Sequence, residues 1–526
     1  MSMENKAVIS AIGALALVSS ATAATKPNIL IIVVDDMGYS DLGCFGGEIS
    51  TPNIDKLADQ GVRFTQFYSN PMSAPTRASL LTGLYPTNAG IGNMGLETTV
   101  KEYQNYLRHD CATVAEIFKH AGYYTYQSGK WHVGQDEGQK PVERGFDKGF
   151  TMIGGATDYY EPLGMYLNNE PWKAPEGYYM THAVTEKAVE FIHEVRDAPF
   201  LMYLAYNAPH WPLQAPQEDI DKYKGRYDQG WDVIRKERFE RMKKMGVLSE
   251  DAVLSPPDES AGRWKWDALS AEEKKRWAGY MEIYAAMIDV VDQGVGQVID
   301  ALEKQGVLDD TIILFMSDNG SCAEDRAKVY IKGVDKDAPP TVAGSTIVYK
   351  APWANVSATP HWKYKSSSFN GGINVPLIVR YPQVVKRQGG FNRSAAHVMD
   401  VLPTLLDLTS TERLTYMGGQ KMQDLDGVSM KSLLKGGSKP IHDYICWEHR
   451  GKCAILKGNW KMVFDNSNQQ WKLYDLTRHG GVEVEDLSAR NPQKVEELLA
   501  DYKEWMKENK VIPFPEQLKL PKRNKQ

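Results

Sequence analysis

The run PNILIIVVDD, Pro27 to Asp36, is apolar until it ends in two carboxylates. An unbroken run of this length, without alternation, predicts a strand buried on both faces, as in a parallel sheet. The period then changes. Apolar spacing predicts helices over Asn53–Gln60 and Ala112–His120, followed by a strand at YYTYQS. THAVTEKAVEFIHEV reads as a helix leading into the apolar PFLMYLAYN, and a long helical pattern from Lys274 to Gln305 precedes TIILFMSDNG. VPLIVRYP is one more short apolar run. Strands alternating with helices predict an α/β sandwich around a large, mostly parallel mixed sheet. From about residue 436 the pattern shifts to short alternating runs, KCAILKGNWKMVFD and WKLYDL, and then a helix. This predicts a main domain over 24–435 and a C-terminal subdomain over 436–526, built from a small antiparallel sheet and a helix. The tail LKLPKRNKQ is expected to fray.

Composition narrows the function classes. With 526 residues, a net charge of −6 and 24% charged residues, the chain has no basic footprint for nucleic acid. Lys6, the apolar AVISAIGALALVSS and Ala21-Thr22-Ala23 read as a secretory signal peptide over 1–23, too short to be an anchor. No other segment is long and apolar enough for a membrane span. The expected compartment is therefore the bacterial periplasm or the exterior. Five cysteines without a C-x-x-C pattern make neither a disulfide framework nor a zinc cluster. Cys446 and Cys453 are left as one possible bridge.

The candidate chemistry gathers where the predicted strands end, which is where open α/β sheets bind ligands. Asp35 and Asp36 follow one strand, Asp318 and Asn319 another, and His210 in NAPHWP a third. Asp35, Asp36, Asp318 and Asn319 supply only oxygen ligands, a set that suits Ca²⁺ better than Zn²⁺. Any single Asp in such a place also serves as a plain helix cap. The segment NPMSAPTRASLLTGLYP puts Ser73 and Arg77 one helical turn apart, with Pro75 between them. Read alone, Ser73 is equally well an N-cap with a proline in the first turn.

The stretch SAPTRASLLTG resembles the signature of the type I, formylglycine-dependent sulfatases of the alkaline-phosphatase superfamily. That signature has Cys or Ser at the modified position, then Pro two residues on, Arg two residues after Pro, and a later Thr-Gly. Thr76 stands where the family usually has Ser, and keeps the hydroxyl. PNILIIVVDDMGYSDLGCFGG, TPNIDKLADQGVRFTQFY, SGKWHVG, APHWPLQAP, FMSDNG and YKSSSFNGGINVPLIVRYP extend the resemblance over nearly all of the mature chain. GGEISTPNIDKLA and APHWPLQAP are most similar to the bacterial arylsulfatase branch.

The resemblance implies an alkaline-phosphatase-like sandwich and a sulfuric ester hydrolase. It implies that a maturase oxidises Ser73 to Cα-formylglycine, whose hydrate attacks sulfur to form a sulfoenzyme. It implies Ca²⁺ held by Asp35, Asp36, Asp318, Asn319 and residue 73. Arg77 and Lys130 then serve the nucleophile and the sulfate. His132 deprotonates the second hydroxyl, while His210 and Lys365 act on the leaving-group side. His449, Arg450, Asp158 and Tyr159 are candidates for sugar contact. The expected substrate is a sulfated glycan, with exo-desulfation of galactose 3-sulfate on mucin-type or host chains as one instance. Two alternatives stay open: a phosphate or phosphonate ester hydrolase of the same superfamily, and a sulfoglycan-binding protein without turnover.

Overall fold

The computed structural model describes residues 26–523 except 195–196, 259–264, 331–332 and 336. The expected signal peptide lies outside the described residues. Among those described, no helix is long and apolar enough to cross a membrane.

The core is a ten-stranded mixed sheet. In spatial order its strands are Gly390–Asn392, Val62–Phe64, Leu377–Arg380, Thr311–Ser317, Asn28–Val34, Phe200–Ala205, Tyr124–Lys130, Lys148–Met152, Met165–Leu167 and Glu170–Pro171. The five strands from Thr311–Ser317 to Lys148–Met152 run parallel. Leu377–Arg380 is antiparallel to both of its neighbours.

The unbroken apolar run at Asn28–Val34 is explained by what covers it. Leu30, Ile32 and Val34 enter one core, which contains the helices Met180–His193 and Ala271–Lys304. Ile29, Ile31 and Val33 enter the opposite core, with Ser73–Thr82, Val114–His120 and Val401–Thr409. Successive strand residues point to opposite faces, so a strand covered on both sides must be apolar throughout. The long helix begins three residues before the predicted start, because Ser270 and Glu273 form a reciprocal cap at its N-terminus.

The small sheet is an antiparallel meander of Ile445–His449, Lys452–Lys457, Trp460–Asp465 and Gln470–Asp475. Its alternation is also explained by two coverings. Cys446, Ile455, Met462 and Leu473 meet the closing helix Pro492–Glu508 through Leu498, Tyr502 and Trp505. Trp447, Ala454 and Val463 meet Tyr68, Phe369 and Ile373 of the main body.

Two expectations change. The tail does not fray over its described part: Thr99 donates to the Pro521 carbonyl at 3.0 Å and Arg523 to that of Glu97 at 3.1 Å. Gln517, just upstream, is fully buried and bonds Asn93 and Glu448. The possible bridge is not made, and Cys446 and Cys453 are both free. Register explains this, since Cys446 sits opposite Ile455 and Cys453 opposite Glu448.

Candidate active site

Four parallel strands deliver the site at their carboxyl ends. Asn28–Val34 is followed by Asp35 and Asp36, Thr311–Ser317 by Asp318 and Asn319, and Tyr124–Lys130 ends on Lys130 with His132 just beyond. Phe200–Ala205 leads to His210. Ser73 is the first residue of the helix Ser73–Thr82 and not its cap; Met72 takes the cap position, without a side-chain bond. The Ser73 hydroxyl is spent elsewhere, donating to Asp318 Oδ2 at 2.7 Å.

Arg77 binds these groups together. Its Nε lies 3.0 Å from Ser73 Oγ and 3.1 Å from Asp318 Oδ2, and Nη2 donates to the same carboxylate oxygen at 2.9 Å. Nη1 donates to the Tyr203 hydroxyl at 3.1 Å. Lys130 Nζ donates to Asp35 Oδ2, and to the Gly155 carbonyl at 2.6 Å. His132 Nδ1 is 3.5 Å from Ser73 Oγ. On the other side, Lys365 Nζ contacts both Asp36 oxygens at 2.6 and 2.9 Å, and His210 Nε2 is 3.4 Å from Asp36 Oδ2. Asn319 Nδ2 donates to Asp36 Oδ1 at 2.6 Å.

Nearly all of this is buried: Asp35, Arg77, Lys130, Asp318 and Asn319 have no solvent exposure. The electrostatics follow. Burial and the Asp35 charge push the Asp318 carboxyl up to about 6, against Arg77. At Asp36 burial raises the pKa, but Lys365 and His210 win and hold it below the usual carboxylate range. Burial pulls Lys130 down despite Asp35. It pulls His210 down to about 3 despite Asp36, and His132 well below its ordinary value, with Lys130 and Arg77 adding. Neutral imidazoles can accept a proton, which a general base requires.

The donor set fits a hard cation. Asp35 Oδ1 and Asn319 Oδ1 are buried without a hydrogen-bond partner among the described residues, an expensive condition for a polar oxygen. Asp35, Asp36 and His210 offer ligand atoms within 4.8 Å of one another. Three carboxylates face Arg77, Lys130 and Lys365, so the protein's own charges balance. A divalent ion among them leaves the site cationic and attractive to a sulfate ester.

The four sugar-contact candidates are held differently. Asp158 is buried and accepts from Gln214 Nε2 at 3.0 Å and from Gly344 N at 2.8 Å. Tyr159 is fully buried and donates to the His210 carbonyl at 2.9 Å, behind the imidazole. Arg450 donates from Nε to Asn93 Oδ1 at 2.9 Å. His449 is buried beside the Gly92 backbone, and neither ring nitrogen has a well-formed hydrogen bond among the described residues. Gly155 and Tyr203 were missed by sequence reasoning. A Cβ at Gly155 would lie 2.6 Å from His132 Nε2, so a larger residue there would displace the imidazole, but that approach is visible only in the fold.

The family model described as Sulfatase matches residues 27–411. An uncharacterised sulfatase of Schizosaccharomyces pombe is 35% identical, over 93% of this chain and 95% of that protein. An arylsulfatase of Klebsiella aerogenes is 35% identical, over 82% of this chain and 97% of that protein. The crystal structure of Ps i-CgsB in complex with k-i-k-neocarrahexaose superimposes with a TM-score of 0.66 at 26% identity, covering 91% of this chain and 93% of that one. The readings left open by the sequence are thereby decided in favour of sulfate-ester hydrolysis. The chain belongs to the sulfatase family and is a sulfuric ester hydrolase.

Proposed function

We propose that this sulfatase removes sulfate from terminal sugars of sulfated glycans, with galactose 3-sulfate of mucin-type or host chains as the first candidate. The carrying observation is the pair of partnerless buried oxygens, Asp35 Oδ1 and Asn319 Oδ1, beside a Ser73 hydroxyl held by Arg77 and Asp318. Asp35, Asp36, Asp318, Asn319 and residue 73 hold Ca²⁺ in this reading. When bound, the ion supplies Lewis-acid polarisation of sulfate oxygens. Ser73, oxidised to formylglycine by a maturase, supplies a hydrated aldehyde whose hydroxyl is the nucleophile.

The chain's own groups do the rest. Arg77 orients the oxygen on residue 73, and the helix N-terminus there favours an anion. Lys130 neutralises charge on the sulfuryl group. His132, 3.5 Å from Ser73 Oγ, takes a proton from residue 73. His210 and Lys365, both on Asp36, serve the departing sugar oxygen. Tyr159 and Asp158 support the His210 loop, while His449 and Arg450 border the sugar. An N-acetylglucosamine-6-O-sulfatase of Bacteroides thetaiotaomicron, 24% identical, supports a glycan substrate. The reading includes export to the periplasm and a division at about residue 435 between the catalytic domain and the subdomain.

Mass spectrometry of the Phe64–Arg77 peptide from the native host should show loss of two hydrogens at Ser73. The modified enzyme should then release sulfate from galactose 3-sulfate, and capping that sugar should block release. Full activity with unmodified Ser73, or equal release from internal and terminal positions, would overturn the corresponding part.

A further inference from the structure

Beside the active site lies a cavity of about 390 Å³, with Lys365 on its wall. The small sheet supplies the opposite wall, through Lys452 and Phe464 to Ser467. Lys365, whose ammonium contacts Asp36, thus joins the cavity wall to the active site.

The charges on this wall are matched, with one exception. Lys363 Nζ donates to Asp258 at 2.8 Å. Asp465 is paired with Lys472 at 2.7 Å. Glu324 accepts from Ser366 Oγ at 2.9 Å and lies 3.5 Å from Arg326 Nε. The Lys452 ammonium makes no ion pair or hydrogen bond among the described residues, although the side chain is half-buried. Burial pulls its pKa down; Glu324 opposes this, and Arg450, Lys363 and Arg326 add to it.

Lys452 is also well aimed. It pairs across the hairpin with His449, so both side chains leave the sheet on the same face. Trp447 shares that face, and its indole donates to the Ser69 carbonyl, at the start of the segment leading to Ser73. Ser368 Oγ donates to the Lys452 carbonyl at 3.0 Å, tying the hairpin to the loop that carries Lys365.

We propose that this cavity is a second anion subsite, in which Lys452 holds a carboxylate or a second sulfate of the substrate. The preferred substrate is then a saccharide with two anionic groups, one cleaved and one gripped. The inference rests on the glycan reading above and narrows its substrate class.

The experiment uses the formylglycine-containing enzyme and measures inhibition of nitrophenyl sulfate hydrolysis by sugars. Galactose 3-sulfate is compared with a disulfated galactose and with galactose 3-sulfate linked to a uronate. A charge-assisted hydrogen bond to a partly buried cation is expected to favour at least one dianionic sugar by about tenfold or more. Lys452→Met should erase that preference, weakening the dianionic sugar about tenfold more than the monoanionic one, and Lys452→Arg should retain much of it. The sugar that is favoured identifies the gripped group as carboxylate or sulfate. Equal inhibition by mono- and dianionic sugars, or equal weakening of both by Lys452→Met, overturns the subsite. If no sugar inhibits or is desulfated while the aryl ester is hydrolysed, the glycan reading itself fails and takes the subsite with it.

Discussion

Two of the buried charge clusters in the main body are built to opposite rules. Around Arg238 every carboxylate oxygen is met. Asp41 accepts from Arg238 Nη1 at 2.6 Å, from Tyr284 at 2.7 Å and from Gly38 N at 2.8 Å. Glu48 accepts from Arg238 Nη2 and Nε, both at 2.7 Å, and from Tyr227 and Arg241. At the strand ends, by contrast, Asp35 and Asn319 each keep an oxygen without a partner, and Asp318 leans on one oxygen for most of its bonds. A saturated cluster fixes a shape. An unsaturated one keeps capacity for a ligand, at a cost in stability.

Breaking the two clusters should therefore give opposite results. Arg77→Ala should lower turnover of every sulfate ester by about 10³-fold, because one group orients the nucleophile and stabilises developing charge. Arg238→Met should instead strand Asp41 and Glu48, costing about 3–5 kcal/mol of stability. Turnover per folded molecule should fall by less than about tenfold, since Arg238 touches no reacting group. Steady-state rates with denaturation curves on both variants decide this. Loss of turnover in the fully folded Arg238 variant would erase the contrast.

Within the unsaturated cluster the two flanks should also separate. His210→Ala should slow a sugar sulfate by about 10²-fold or more, because the charge developing on an alkoxide leaving group needs the polar environment that His210 and Lys365 provide. A nitrophenyl sulfate should suffer far less. Equal slowing of both would remove His210 from the leaving-group role and make Lys365 the next residue to test in the same way.

Calcium should act on one cluster alone. Chelation should abolish activity, and added Ca²⁺ should restore it. The same addition should raise stability by about 4 kcal/mol at a thousand times the dissociation constant. Asp35→Asn should lose most of that gain, and Arg238→Met should retain it. Stoichiometric zinc with zinc-dependent activity would overturn the assignment.

The two clusters also differ in how far the sequence reveals them. Asp35, Asp36, Asp318 and Asn319 were legible because each pair ends an unbroken apolar run, and a parallel strand must deliver its next residues to the ligand-binding edge. His210 could be read for the same reason, whereas Lys130 was legible only through resemblance. Arg238 could not be read. It lies in the helix Trp231–Lys244, whose sequence WDVIRKERFERMKK reads as a solvated, charge-rich surface, yet the side chain is fully buried. Nothing in local period tells a buried cation from an exposed one when its partners, Asp41 and Glu48, come from a loop about 190 residues away. The tail was misread similarly, because Gln517 is fixed by Asn93 and Glu448, which no local pattern connects to it. Lys365 was legible only through resemblance, since it sits in a loop without period.

Glu448 is the intermediate case, and it gives the smallest expected effect. Its carboxylate accepts from Gly451 N at 2.8 Å and from Gln517 Nε2 at 2.9 Å, and no cation among the described residues pairs with it. Burial accordingly pushes its pKa up to about 7, against those two bonds. The folded value exceeds the unfolded one, so between about pH 4.5 and 7 the native state binds more protons than the unfolded state. Stability must therefore fall as pH rises through that window, by at most about 3 kcal/mol from this group. Glu448→Gln removes the titration while keeping an acceptor for Gly451. Its amide also meets the Gln517 amide, so a constant offset is expected and absolute stability is not the diagnostic. The slope is. Plotted against pH, the stability difference between Glu448→Gln and the parent chain should shift in favour of the variant from pH 5 to pH 8. Parallel curves would mean that Glu448 is as well satisfied as Glu48, and that hydrogen bonds alone can saturate a buried carboxylate in this protein.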